Sequence, residues 1–168
     1  MSSRLLRASL ATALGLCAAV SLAGVGLPTP AAADPAERWV LMIESDGLQG
    51  FVDMASIRRD GDIGSMRVMM APDHPEPISG GMVVDYAYGF MEYDCPRKME
   101  RMVRAGAFGP KGDLLYDGAA PKAFEAEDPA DAETALFRAL ACDGAKPAPG
   151  PEFPTMAAAA IWARGRSR

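Results

Sequence analysis

Short apolar runs separated by turn-forming residues dominate the chain between residues 38 and 120. Runs of this length predict β-strands. The connections between them are too short for parallel crossovers, so the pattern predicts an antiparallel meander. The six predicted strands cover residues 39–43, 49–53, 64–71, 83–95, 98–107 and 114–116. With one helix after them, they predict an α+β fold.

The fourth strand, Val83 to Cys95, is the longest, and its alternation changes phase. Apolar side chains occupy even positions up to Tyr88 and odd positions from Met91 onwards. Because side chains alternate with a period of two, this shift predicts a β-bulge or bend near Gly89. The alternative is that both faces of the strand are buried, and the three acidic residues of the strand argue against complete burial.

A single helix is predicted from Asp128 to Cys142. Asp128 is a favoured N-cap residue, and Pro129 suits the first helical position. Phe124 is expected to fill the seam between helix and sheet. The apolar stripe that would lie on the sheet consists of Ala132, Ala135, Leu136, Ala139 and Leu140. The predicted domain spans residues 34–144.

Two segments are predicted to lack regular structure. Residues 72–81 hold three prolines and two glycines and are expected to form a surface loop. Residues 145–154 are a proline-rich linker, and the alanine-rich, basic segment 155–168 is expected to be a disordered tail. The alternative for this tail is that it folds in weak contact with an anionic membrane surface.

The first 33 residues predict a signal peptide. Arg4 and Arg7 precede an uncharged apolar run, and small alanines at 31–33 suit a cleavage site. A membrane anchor is the competing interpretation, but glycines and prolines interrupt the run and no basic flank follows it. Lipid attachment at Cys17 is a second alternative, which the large Leu16 before it disfavours. The protein is therefore predicted to be exported to the periplasm, the cell surface or the medium, with no membrane-spanning segment after cleavage.

Charge divides the chain into an acidic body and a basic end. Residues 34–143 carry 11 Lys and Arg against 21 Asp and Glu, whereas residues 144–168 carry four basic residues and one acidic residue. Binding to nucleic acid requires basic groups that displace the counterions of phosphate. The acidic body therefore argues against a nucleic-acid partner.

Two cysteines, Cys95 and Cys142, remain after removal of the signal peptide. In an oxidising compartment an even number of cysteines predicts a disulfide, and only this pairing is possible. A redox-active pair would lie close in sequence, as in Cys-x-x-Cys, and Asp94 beside Cys95 disfavours a thiolate. The pair is predicted to be structural.

No motif for catalysis, metal binding or cofactor binding stands out. His74 is the only histidine, and Asp73, His74 and Glu76 crowd into a loop broken by a proline, which is typical of a solvated loop. No nucleophile motif surrounds Ser45, Ser56, Ser65 or Ser79. We therefore predict no catalytic residue, no metal and no cofactor.

Several motifs together resemble the bacterial surface-adhesin protein E family. They are Trp39-Val40, Phe51-Val52-Asp53 with Ser56-Ile57, Arg59 and Gly61, Glu92-Tyr93-Asp94-Cys95 followed by basic residues, a Leu-Tyr strand, and a helix closing on Cys142. The resemblance implies a small antiparallel sheet with a C-terminal helix held by one disulfide. It also implies export, surface display and binding to host matrix or serum proteins.

Two classes of function follow from these observations. The first is a non-catalytic envelope or surface module that binds a protein partner, either as an adhesin or as a structural accessory of the envelope. The second is a periplasmic enzyme, which lacks support because no nucleophile, base and orienting group can be assigned.

Overall fold

The computed structural model describes residues 36–45, 47–120, 123–128 and 130–165. The predicted signal peptide, residues 1–33, lies outside the described residues. Within them the strands are β1 Trp39–Ser45, β2 Leu48–Asp60, β3 Ile63–Pro72, β4 Glu76–Pro77, β5 Val83–Val84, β6 Tyr86–Asp94, β7 Met99–Phe108, β8 Leu114–Ala119, β9 Glu125–Ala126 and β10 Glu152–Phe153. The helices are α1 Ala132–Asp143 and α2 Met156–Arg164.

The main sheet follows the predicted antiparallel meander. Its strand order is β10-β1-β2-β3-β6-β7-β8, with β9 paired to the other end of β7, and every pairing is antiparallel. The six long strands correspond to the six predicted ones. Three two-residue strands, β4, β9 and β10, were not predicted. The predicted strand Val83 to Cys95 is interrupted at Asp85: its first two residues form β5, which pairs only with β4, and most of the rest forms β6. The predicted loop 72–81 thus contains a short strand and a 3-10 turn, Ser79–Gly81.

The sheet is covered on both faces, one helix on each. Phe51 packs in a cluster with alanines of α2, whereas the next residue, Val52, packs in a cluster with Leu140 and Ala141 of α1. Because successive side chains of a strand point to opposite faces, α1 and α2 lie on opposite sides of the sheet. We call these sides the α1 face and the α2 face. The prediction of a single helix is wrong.

Helix α2 forms within the segment for which the sequence suggested a disordered tail. Thr155 caps it by accepting a hydrogen bond from Ala158 N at 3.1 Å. Ala159, Ala160 and Ala163 are almost fully buried against the sheet. Their small side chains allow the helix to approach the strands closely. This alanine stripe docks the segment on the sheet.

The phase change in β6 has a different cause from the one predicted. β6 pairs with β3 without interruption from Ala87 to Asp94, so it contains no bulge near Gly89. The irregularity lies in the neighbouring strand, where Val103 of β7 is the extra residue opposite the step from Phe90 to Met91. Both faces of β6 are partly buried: its first half packs on the α2 face and its second half on the α1 face.

The apolar alternation follows this division of β6. Tyr86 and Tyr88 pack in the cluster on the α2 face, and Met91 and Tyr93 pack in the cluster on the α1 face. The alternative interpretation of the sequence, burial on both sides, is the one that the structure supports.

Helix α1 begins three residues later than predicted. Its N-cap is Asp131, whose carboxylate accepts hydrogen bonds from Glu133 N and Thr134 N at 2.9 and 3.3 Å. Asp128 instead closes a turn before the helix by accepting from Ala130 N at 2.9 Å. The buried side is also rotated from the predicted stripe.

On the buried side of α1, Leu140 and Ala141 are buried and Phe137 packs against the cluster, while Ala132 and Ala135 are exposed. Phe124 does not enter this cluster, and its ring lies 4.4 Å from the guanidinium of Arg101. The seam between helix and sheet is therefore filled by the side chains of α1 itself.

Candidate functional site

The predicted disulfide between Cys95 and Cys142 is present, with an S–S distance of 2.04 Å and a Cα–Cα distance of 5.6 Å. It joins the residue after β6 to the last turn of α1. Arg59 supports the same point of the fold by donating a hydrogen bond to the carbonyl oxygen of Cys142. The disulfide therefore fastens α1 to the sheet, and nothing in its surroundings points to chemistry.

The other residues weighed for chemistry do not converge. His74 and Glu76 are exposed, and Asp73 accepts a hydrogen bond from Gln49 Nε2 at 2.6 Å. In the part of the chain that the structure describes, no three His, Cys, Asp or Glu side chains are grouped to hold a metal ion. Ser56 has a structural task, because its hydroxyl donates to Asp53 O and accepts from Arg67 N.

Strand β8 is an open edge of the main sheet. No strand pairs with its outer side among the described residues, whereas at the opposite end of the sheet the short strand β10 covers two residues of β1. The strand is exposed and apolar, with Leu114 56% and Tyr116 49% accessible. It contains neither proline nor lysine, the residues that commonly block such an edge. Its backbone is thus available for pairing with another extended segment.

Hydrogen bonding identifies which backbone groups of β8 point outwards. Ala120 N donates to Val103 O of β7 at 3.0 Å. Because alternate residues of an antiparallel pair form the ladder bonds, Asp117 and Ala119 direct their N–H and C=O groups away from β7. The carbonyl oxygen of Ala119 already accepts a hydrogen bond from the Tyr116 hydroxyl at 3.5 Å, so the open groups are the N–H and C=O of Asp117 and the N–H of Ala119.

An ion pair holds β8 firmly on β7. Arg104 donates from Nε and Nη2 to the two carboxylate oxygens of Asp117, at 2.8 and 2.5 Å. These hydrogen bonds, with a further one from Tyr88, lower the pKa of Asp117 to about 2. Two parallel bonds of this kind fix geometry as well as charge. The edge strand is therefore held in place before any partner arrives.

A cleft of about 450 Å³ lies on the α2 face of the sheet, lined by Glu37 and by residues of β2, β3, β6 and β7. A large bulge in β2 forms one wall of it. Asp53 pairs with Arg67 and Arg58 pairs with Ser65, so the four residues 54–57 stand opposite a single residue of β3. The excess chain of β2 bends out of the sheet plane and leaves a concave surface.

A hydrogen-bonded carboxylate and a stacked arginine form the inner end of this cleft. Asp53, which is 1% exposed, accepts hydrogen bonds from Arg38 N, Ala55 N and Arg67 Nε at 2.9, 3.1 and 3.0 Å. Arg67 also pairs with Glu37 at 3.1 Å, and its guanidinium lies 5.4 Å from the Trp39 ring centroid. The buried charge of Asp53 is thus compensated by the partly buried Arg67, as a buried ion requires.

Glu37 also links the cleft to α2. Its Oε2 accepts hydrogen bonds from Trp39 Nε1 at 3.0 Å and from Met156 N, at the start of α2, at 3.2 Å. The sequence analysis did not identify this network. The pairing of Asp53 with Arg67 depends on the register of β2 on β3, and the sequence indicates the two strands but not their register.

Two side chains in the cleft, Arg58 and Ser65, keep open hydrogen-bond donors. Arg58 donates from Nη1 to the carbonyl oxygens of Ala55 and Ile57, both at 2.8 Å, which fixes the guanidinium. Among the described residues, Arg58 has no carboxylate partner. In the same part of the chain, the hydroxyl of its cross-strand neighbour Ser65 has no hydrogen-bond partner. Nε and Nη2 of Arg58 and Oγ of Ser65 can therefore bind a further group.

The comparisons with known proteins identify the family. Residues 39–143 match the model of the family described as surface-adhesin protein E. The chain belongs to the surface-adhesin protein E family. This confirms the resemblance inferred from the sequence motifs, and the matched region runs from the start of β1 to the end of α1. Strand β10 and helix α2 lie beyond it.

One solved structure is similar to this family member. It is the structure of Haemophilus influenzae protein E, with 11% sequence identity, 71% of this chain and 94% of that chain covered, and a TM-score of 0.43. No curated protein matches the chain. Among the described residues, neither helix of this surface-adhesin protein E family member is long and apolar enough to cross a bilayer.

Proposed function

We propose that this member of the surface-adhesin protein E family is an exported, non-catalytic binding module that attaches to a protein partner in the envelope or on a host surface. Membership of a family described as surface adhesins supports an adhesin-like role. The predicted signal peptide, residues 1–33, supports export of a mature chain whose family domain spans residues 34–144.

The open edge of β8 is the observation that carries this proposal. An extended segment of a partner can add to such an edge as a further strand, with backbone hydrogen bonds for affinity and side-chain contacts for specificity. The N–H and C=O of Asp117 and the N–H of Ala119 supply the hydrogen bonds. Leu114 and Tyr116, both about half exposed, supply apolar contacts on either face of the added strand.

The test uses a variant that removes one outward N–H and leaves the β7–β8 ladder intact. Proline is tolerated on an edge strand where its missing N–H faces solvent. The mature chain, Ala119→Pro and the control Ala119→Ser are applied to immobilised extracellular-matrix and serum proteins and to native envelope extract with chemical cross-linking. Ala119→Ser changes the side chain and keeps the N–H.

Saturable binding by the mature chain and by Ala119→Ser, reduced at least tenfold in Ala119→Pro, is the expected result. Circular dichroism and thermal melting establish that Ala119→Pro is folded. Equal binding by all three chains would show that β8 is not the contact. Binding only to an envelope component would assign the module an accessory role in the periplasm, and absence of any partner in both assays would contradict the proposal.

A further inference from the structure

The charges in the cleft on the α2 face are distributed unevenly. Each carboxylate that lines it is already paired with an arginine: Glu37 and Asp53 with Arg67, and Glu92 with Arg101. Arg58 is the lining cation without a carboxylate partner among the described residues. Arg58 is exposed, so water occupies its remaining N–H groups in the free protein and an anion can take the place of that water.

We propose that this cleft binds a carboxylate that carries an apolar group, with Arg58 and Ser65 holding the carboxylate. Nη1 of Arg58 is occupied by two carbonyl oxygens, and the edge formed by Nε and Nη2 is open. That edge presents two parallel N–H groups, which match the two oxygens of a carboxylate. Ser65 lies directly across the strand pair and adds a third donor.

The charge of the site favours a monoanion. The cleft lining contains Glu37, Asp53 and Glu92 against Arg58 and Arg67. Arg101, which pairs with Glu92, brings the arginines around the site to three against three carboxylates, so a bound carboxylate leaves one net negative charge. A phosphate dianion would bring a second negative charge close to three carboxylates, and like charges at this range repel each other. The site therefore fits a carboxylate better than a phosphate group.

The remaining surface of the cleft fits an apolar group. Phe90 and Val103 line it beside the polar wall of β2. A cleft of about 450 Å³ falls within the range of about 300–1,000 Å³ that is usual for small-ligand sites. Concave, mostly apolar surfaces with a few fixed polar groups are the common form of such sites. A side chain of amino-acid size next to a carboxylate meets both requirements.

Two sources supply this chemistry: a free organic acid and the C-terminal residue of a peptide. The inference does not rest on the proposed function, because the donors Arg58 and Ser65 lie on β2 and β3 and take no part in the open edge of β8.

The experiment compares ligands that differ in one group. N-acetyl-phenylalanine and its C-terminal amide are titrated into the 15N-labelled mature chain, and chemical shifts are followed at Arg58, Ser65 and Phe90. We expect saturable shifts with the acid and affinity at least tenfold weaker with the amide, because a hydrogen-bonded charge is lost. Phenylpropionate and a tetrapeptide ending in phenylalanine form the second pair, and the tighter binder of the two identifies the source.

Variants locate the site. Arg58→Gln and Ser65→Ala should each weaken binding of the acid, by about tenfold or more for Arg58→Gln. Lys111→Gln removes the same charge from the exposed turn before β8 and should leave binding unchanged. The wild-type comparison of acid with amide decides the matter even if a variant fails to fold. Equal binding of acid and amide, no binding, or an equal loss in Lys111→Gln would overturn the inference.

Discussion

Removal of the disulfide between Cys95 and Cys142 should cost a large part of the stability of the domain. The bond closes a loop with a sequence separation of 47. On the chain-entropy model, closing a loop of this length lowers the entropy of the unfolded chain by about 14 cal/mol/K, or about 4 kcal/mol at 25 °C. A domain of this size is typically stable by about 5–15 kcal/mol. The double variant Cys95→Ala/Cys142→Ala should therefore be folded but only marginally stable.

The measurement is urea denaturation of the wild type, the reduced wild type and the double variant, followed by circular dichroism. The last two should lose a similar free energy of unfolding, between about 2 and 5 kcal/mol. Their agreement is the control, because reduction leaves the sulfur atoms in place while the alanines remove them. A loss below about 1 kcal/mol in both would refute the view that the bond stabilises the domain by constraining the unfolded chain.

Three further predictions test the layers around the sheet. Ala160→Glu places a charge under α2 and should lower the free energy of unfolding by about 2–4 kcal/mol, whereas Ala157→Glu on the exposed side should lower it by less than about 0.5 kcal/mol. Equal losses of stability in thermal melting would contradict the docked helix. Gly64→Ala brings a Cβ within 2.7 Å of a carbonyl oxygen of α1 and should cost about 1–3 kcal/mol in urea denaturation, so unchanged stability would contradict this close packing. The carboxyl of Asp117 should titrate near pH 2 by NMR, so its ion pair should persist below the ordinary carboxyl pKa of about 3.9 and be lost near pH 2. Titration near 3.9 in both the wild type and Arg104→Gln would exclude the pairing.

The order of the strands could be predicted from the sequence because short connections leave few topologies open. Turn formers such as those around Gly47 and Gly112 allow only antiparallel neighbours, and both glycines adopt positive φ in the structure. The disulfide could be predicted from the expected export to an oxidising compartment and from the two cysteines that remain after the signal peptide. These features depend on local sequence or on simple exclusion, which a single chain reveals.

Features that depend on packing between distant segments could not be predicted in the same way. An alanine-rich, basic end is compatible both with disorder and with a docked helix, and the sheet surface beneath Ala159 and Ala163 decides between them. The alternation in β6 was misinterpreted because each half is buried on a different face. Predicting the cleft would have required the register of β2 on β3. Nothing in the sequence of residues 54–57 indicates that all four lie opposite a single residue of β3.

The central claim is that a partner adds a strand to β8, and amide hydrogen exchange tests it most directly. The mature chain is saturated with the partner recovered in the binding assays, and exchange is followed residue by residue. The account predicts that the amides of Asp117 and Ala119, which face solvent in the free protein, become strongly protected, while that of Gly118, already directed at β7, changes little. Unchanged exchange at Asp117 and Ala119 in the saturated complex would contradict it.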